Sequence, residues 1–409
     1  MISRLKSIIV ILRARGFIGL LIALLVALQA KVGHKRRHKD AGVYFKFLAK
    51  IEDIENVDFS KNKTNYVTQG KKDKYIINWV ISPPSESGGG HQNVYRFIKY
   101  LENAGHKCRI YLYASDEKIS LEKVIENTSK NYDLVDAEIN WIEDGMEPAD
   151  AIFATGWETA YPVFNIKSNA KKFYFIQDFE PCFYPMGSEY KLAEKTYSMD
   201  FHGLTAGPWL SSKLSKEYSM DCDFYNFGYD PKIYQFNKDS KRDKIFFYAR
   251  PVTPRRGFEL GLMSLELFHK QHPEIEIIMA GWDVSDYDIK FPYTNLKSVP
   301  IDELSEIYNS CIAGLVLSFS NVSLLPLELM SCGVVPVVNS GENNEMVIGN
   351  ENVVYCGISP KEISDSLSRV ISNPDRQIRA EKVASSVTSQ SWDESSKQFL
   401  GAFKRVMNG

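Results

Sequence analysis

Three short stretches carry residue types suited to one chemistry, the holding of a phosphate-bearing ligand. Gly88, Gly89, Gly90 and His91 lie between an apolar run and a helix-periodic one. Glycines there permit positive φ and let backbone approach a ligand closely. A helix N-terminus adds free N–H groups and positive dipole, which favour phosphate. The pattern is neither G-x-G-x-x-G nor a P-loop, because no Lys-Ser/Thr follows, and a flexible turn is the competing reading. The second stretch, Arg250 to Gly257, carries Arg250, Arg255 and Arg256 after an apolar run. Guanidinium groups match phosphate oxygens bidentately. Any one of these arginines alone would read as surface charge, but the cluster favours a diphosphate site. The third stretch, Ser320 to Gly333, predicts a helix over Leu324–Ser331. The backbone of Leu324 and Leu325 at its start suits a phosphate. Glu328 sits among Leu327, Leu329 and Met330. An unpaired buried carboxylate is expensive there. Two ribose hydroxyls would satisfy it, and so would an arginine of the same domain.

Acids and imidazoles come next. Asp178 and Glu180 follow a buried-type strand and could orient or deprotonate an acceptor hydroxyl. Helix capping or a structural ion pair competes with that role. His91 and His202 are further acid–base candidates, although a lone histidine is more often structural. Trp157, Trp209 and Trp282 are more often core than sugar platforms, with Trp282 placed to meet a nucleotide. Six cysteines form no C-x-x-C pair and no tight Cys/His cluster, so neither a zinc module nor a disulfide scaffold is indicated. No metal site and no cofactor are expected.

These residues need elements to position them. From Tyr75 onward, short apolar strands alternate with amphipathic helices. Strands are predicted at Tyr75–Ile81, Cys108–Tyr113, Ala151–Thr155, Lys172–Ile176, Gly203–Ala206 and Phe224–Phe227, with a helix over Asn93–Ala104. A turn-rich passage, Gly228–Asp243, follows, and the pattern restarts. Strands are predicted at Ile245–Ala249, Ile275–Ala280, Ile312–Leu317 and Val334–Val338. Helices are predicted at Phe258–Gln271, Asp302–Ser310, Pro360–Ile371, Asp375–Ser386 and Trp392–Met407. This is α/β alternation with parallel sheets. Two Rossmann-like domains face an interdomain cleft, where ligands bind at the carboxyl ends of strands. The boundaries read as 1–60 for an arm and lead-in, 61–235 and 236–388 for the two domains, and 389–409 for a closing helix that returns to the first domain.

At 409 residues the chain exceeds one hydrophobic core, and its composition (44% hydrophobic, 24% charged) excludes global disorder and a polytopic membrane protein. The net charge of −2 hides an asymmetry: 9 of the 49 basic residues precede the first acid, Asp40. Residues 1–39 also hold the uncharged stretch Gly16–Ala30, about 22 Å of helix at 1.5 Å per residue, flanked by Arg15 and Lys31. An interfacial helix on anionic lipid is the leading expectation. A signal peptide or single-pass anchor, and a buried helix of the body, are the alternatives. His34–Lys39 offers charge, but no aromatic-rich basic face accompanies it, so no nucleic-acid partner is expected.

The second half resembles the donor domain of family 4 retaining glycosyltransferases, which have the GT-B fold. Arg250 and Arg256-Gly257 look like that family's diphosphate-holding Arg and Lys-Gly. Met279-Ala280-Gly281-Trp282 looks like its loop along the nucleobase, and Leu324 to Glu328 with Ser331 to Val338 like its ribose-binding helix and following strand. The first half is similar to a narrower set, bacterial rhamnosyltransferase-like (WsaF-like) enzymes of surface-polysaccharide synthesis. Ala154 to Thr159 and Phe175 to Pro181 carry that likeness, and Gly88–Gly90 looks like the N-domain glycine loop. Two departures stand out: Ser320 occupies the position of the family's first glutamate, and Arg256 replaces lysine one residue later than usual. The resemblance implies sugar transfer, with retention, from a nucleotide-diphospho-sugar (dTDP-rhamnose in the narrower set). The basic, apolar arm suits a growing, lipid-linked glycan as acceptor, and a nucleotide-sugar donor places the reaction at the inner face of the plasma membrane. A non-catalytic partner of another transferase and a nucleotide-sugar epimerase are the competing functions.

Overall fold

The computed structural model describes residues 47–59, 72–86, 88–115 and 119–409. The basic arm of residues 1–39 lies outside them. Both sheets belong to the compact unit Leu48–Gly409. No helix among the described residues is long and apolar enough to cross a membrane.

The first lobe is built on β1 (Ile76–Ile81), β2 (Lys107–Leu112), β3 (Glu138–Trp141), β4 (Ala151–Ala154), β5 (Lys171–Ile176), β6 (His202–Ala206) and β7 (Cys222–Tyr225). Their order is β3-β2-β1-β4-β5-β6-β7, and every pairing is parallel. Helices cover both faces of such a sheet, so its strands read as continuous apolar runs. Ile77, Trp79, Val80 and Ile81 of β1 are all fully buried. The second lobe holds β8 (Lys244–Tyr248), β9 (Glu276–Ala280), β10 (Thr294–Asn295), β11 (Cys311–Val316), β12 (Val335–Asn339) and β13 (Val354–Cys356), in the order β10-β9-β8-β11-β12-β13.

In each sheet the winding reverses beside the first strand, between β1 and β4 and between β8 and β11. Crossover helices leave to opposite faces at such a point, and the carboxyl ends of the two strands open a crevice. Gly88–Gly90 and Thr155–Glu158 follow β1 and β4. Arg250–Gly257 and Ser318–Leu325 follow β8 and β11.

The chain crosses between lobes twice. Tyr229 N–H donates to Gln390 O at 3.1 Å, and the backbone of Gly228 lies against Ser391 and Trp392. Helix Trp392–Asn408 then packs on the first sheet. Its Ser391 cap accepts from Glu394 N–H, and Phe399 meets the rings of Phe97, Phe153 and Tyr225 at 4.5, 6.0 and 5.9 Å.

Several elements escape the sequence periodicity. Helix Leu121–Asn131 buries only Val124 and Thr128, so it lacks a clear apolar stripe. Strands β3, β10 and β13 have four, two and three residues, too short for a period to show. Helix Glu342–Ile348 is likewise short and polar. The helix after the glycine loop begins at Gly89, four residues before the expected start at Asn93.

Candidate functional site

The second lobe's crevice gathers the arginines. Arg250 follows β8 and donates from Nη1 to Gly281 O at 3.3 Å, with its guanidinium 5.8 Å from the Trp282 ring centroid. Gly281 follows β9 at φ +114°, and a Cβ there would run into the Tyr248 ring. Only glycine fits a left-handed backbone against that wall. Trp282 is 40% exposed, so its face is open to a flat ligand. Gly257, at φ +59°, starts helix Phe258–Gln271, and a Cβ would press on Phe319 and Leu317.

Arg256 lies deeper. Its Nη1 donates to Ser318 Oγ at 2.6 Å and to Asn321 O at 3.1 Å, and burial lowers its pKa. Ser318 Oγ in turn donates to Asn321 O at 3.0 Å. Arg256 lines a small cavity with Tyr248, Ser323 and Leu325 at the ends of β8 and β11. Helix Leu325–Ser331 begins there, with Leu324 as its cap, and carries Glu328. Burial pushes the Glu328 carboxyl up to about 7, opposed by a hydrogen bond with Tyr234 and by the charge of Arg96. Its partners are therefore a tyrosine of the connecting segment and a distant arginine of the first lobe. The same-domain arginine pairing is not what the structure shows.

The first lobe answers from across the cleft. Gly88, Gly89 and Gly90 all lack positive φ, so the loop does not use glycine's left-handed freedom. At Gly88 it uses the small size. A Cβ on Gly88 would press on His91 Nδ1, and one on Gly90 would reach Gln177 Nε2. Helix Gly89–Asn103 has no side-chain cap at its N-terminus. His91 Nε2 lies 3.0 Å from Ser82 O, a pure acceptor, so Nε2 carries the proton. Nδ1 is then a free base facing the glycine loop, and burial lowers the pKa of the ring.

Asp178 has a different setting from that of an acceptor base. Its Oδ1 accepts from Asn321 N–H at 2.7 Å and Phe179 N–H at 2.8 Å. Its Oδ2 accepts from Ser320 Oγ at 3.0 Å and Arg255 Nε at 3.2 Å, with Arg256 Nη2 at 3.9 Å. A carboxylate so engaged has no lone pair to offer an acceptor hydroxyl, and Asp178 instead joins the two lobes. Glu180 is also committed. It accepts from Trp157 N–H at 2.6 Å, capping helix Trp157–Asn165, and burial, then the charge of Glu158, holds its pKa well above the usual carboxylate range. This contact gives it the role of a helix cap. His202 pairs with Asp223 at 3.1 Å at the amino end of β6, the edge opposite the cleft. Trp157 is buried and bonds Tyr184.

Sequence reasoning passed over Asn321, Gln177 and Tyr234, and gave Arg255 no separate role. Asn321 Nδ2 donates to Gln177 O and Ala206 O, at 2.9 and 2.8 Å, pinning the second lobe's loop on the ends of β5 and β6. Gln177 bridges Gly90 O and Asn93. Arg255 stands in the arginine cluster itself and Asn321 beside Ser320, so adjacency was the available signal. For Tyr234 there was none.

The loops after β8, β9 and β11 therefore carry Arg250 and Arg256, the half-exposed Trp282 and the start of the helix that holds Glu328. The WsaF N-terminal domain matches residues 96–205 and the WsaF C-terminal domain residues 243–368, together more than half of the chain. The chain belongs to the WsaF family. RfbC of Myxococcus xanthus, an O-antigen biosynthesis protein, is 31% identical over 256 residues, 61% of this chain. The chain spans only 20% of that relative's length. The fold is that of S. aureus TarM, solved as a point mutant with fondaparinux, α-GlcNAc-glycerol and UDP (TM-score 0.64, 9% identity, 82% of this chain and 100% of that one). Anabaena HepE, solved with UDP and glucose, is similar (TM-score 0.62, 12% identity, 81% and 100%). At such identities the likeness is one of GT-B fold.

Proposed function

We propose that this transferase moves a sugar from a nucleoside-diphospho-sugar to a growing bacterial surface glycan, with retention at the anomeric carbon. One observation carries the reading. Arg250 and Arg256, Gly281-Trp282 and the helix that carries Glu328 follow the carboxyl ends of β8, β9 and β11, beside the winding reversal where such sheets bind nucleotides. Trp282 takes the base, Glu328 the ribose hydroxyls, and the arginines the diphosphate. Negative charge builds on the departing diphosphate as the C1–O bond breaks, and fixed cations in a dry site stabilise it most. The acceptor oxygen bonds to C1, and its proton leaves with the diphosphate. Gly88–Gly90 and the Nδ1 of His91 face the same cleft from the acceptor side. The O-antigen role of RfbC and the UDP held by TarM and HepE support this donor and acceptor class. The resemblance to rhamnosyltransferase-like enzymes favours dTDP-rhamnose and a lipid-linked acceptor at the inner membrane face, reached through the basic arm.

The test is a thermal-shift panel of nucleoside diphosphates and their sugar conjugates on the full chain and on Arg250→Ala. A ligand at 100 times its dissociation constant adds about 2.7 kcal/mol of stability. A shift with one base, reduced in Arg250→Ala, fits the assignment. No shift with any of them in folded protein refutes it. Release of the diphosphate only when a glycan acceptor is added separates transfer from isomerisation of the sugar nucleotide.

A further inference from the structure

Asp178 is held by an unusual set of partners. Apart from the adjacent Phe179 N–H, every group that bonds it comes from the other lobe: Asn321 N–H, Ser320 Oγ and Arg255 Nε. A backbone amide, a hydroxyl and a guanidinium around one point form an anion site. These groups lie past the carboxyl ends of β8 and β11, in the crevice assigned to the donor. Arg256, 3.9 Å from the same carboxylate oxygen, points its other nitrogen at Ser318 and Asn321. Two of the cluster's three arginines, Arg255 and Arg256, thus face a carboxylate of the first lobe in this structure.

We propose that Arg255, Ser320 and the Asn321 amide form the docking point for the donor's diphosphate, and that Asp178 occupies it as an internal anion until the donor takes it over. The inference rests on the donor reading above. A carboxylate and a phosphate oxygen accept the same three bonds, so the two cannot hold the site together. Like charges at that distance would repel strongly in a site of low dielectric. A diphosphate carries more charge than one carboxylate and wins when present. Asp178 is nearly buried and Ser320 fully so, which keeps water from dissolving the contact in the meantime. Because Asp178 and its partners sit on different lobes, donor entry also removes one of the contacts that join them. Monophosphates, without the second phosphate group, leave Asp178 in place.

Calorimetric titration of the full chain with UDP, dTDP and the matching monophosphates tests this, on wild type and on Asp178→Asn. If the competitor fills the site nine-tenths of the time, its removal tightens binding about tenfold. The expected result is that gain for a diphosphate and none for the monophosphate. Asp178→Ser, which also removes the charge, carries the test if the asparagine variant does not fold. Equal or weaker diphosphate binding by a folded variant overturns the competition, because Asp178 would then be neutral to the donor or part of its site. Failure of wild type and variants alike to bind any nucleoside diphosphate instead overturns the donor reading on which the inference rests.

Discussion

Glu328→Gln separates the demands of folding from those of binding. Burial moves this carboxyl from an ordinary 4.5 up to about 7. At 1.36 kcal/mol for each tenfold change in proton affinity, that displacement is worth about 3 kcal/mol. The unfolded chain ionises the group near 4.5 and the folded chain only near 7. The folded state therefore gains relative stability as pH falls from 7 to 4.5, and carries the full penalty above 7. Glutamine keeps the shape and the acceptor for Tyr234 but never takes the charge. The variant should be more stable than wild type at pH 8, by up to about 3 kcal/mol, and nearly equal to it at about pH 4.5. Urea unfolding of the ligand-free protein at the two pH values measures both differences. The same variant should bind a nucleoside diphosphate more weakly at pH 8, by tenfold to a hundredfold, since hydrogen bonds to a charged group are worth about 1.5–3 kcal/mol. Equal stability gains at both pH values would refute the charge argument. Unchanged binding would refute the contact with ribose.

Two further outcomes follow from packing. Gly281→Ala puts a Cβ into the Tyr248 ring on a backbone at φ +114°, so it should destabilise by about 1–3 kcal/mol and weaken nucleotide binding more than nucleotide-free inorganic pyrophosphate binding, as read by titration. Phe399→Ala empties a site among Phe97, Phe153, Phe175 and Tyr225 and should cost about 3–5 kcal/mol in urea unfolding, which tests whether the last helix is part of the first lobe's core.

The strands and helices with a regular apolar period are legible in the amino-acid sequence. Helix Phe258–Gln271 matches to the residue, because its apolar positions recur at helical spacing and Gly257 precedes it. The positions of the arginine cluster and Gly281-Trp282 just past β8 and β9, and of Glu328 in the helix after β11, are legible as well, since the apolar runs of those strands announce them. The elements that escape are too short or too polar to show a period, such as β13 and helix Leu121–Asn131. Asp178 and Glu180 take the ion-pair and capping settings that the sequence left as alternatives to proton transfer, because a carboxylate's chemistry depends on what faces it.

Those facing groups mark the division. The sequence alone determined that two parallel-sheet lobes form and which loops end at the cleft, because strand burial and chain order are local and sequential properties. Only the tertiary structure decided that Asp178 meets Ser320, Asn321 and Arg255, that Glu180 caps the helix starting at Trp157, and that Glu328 meets Tyr234 rather than an arginine of its own domain. Hydrogen bonds reach about 3 Å in space whatever the separation along the chain. Which donors come within that reach is settled when the lobes close on each other, and no local pattern records it.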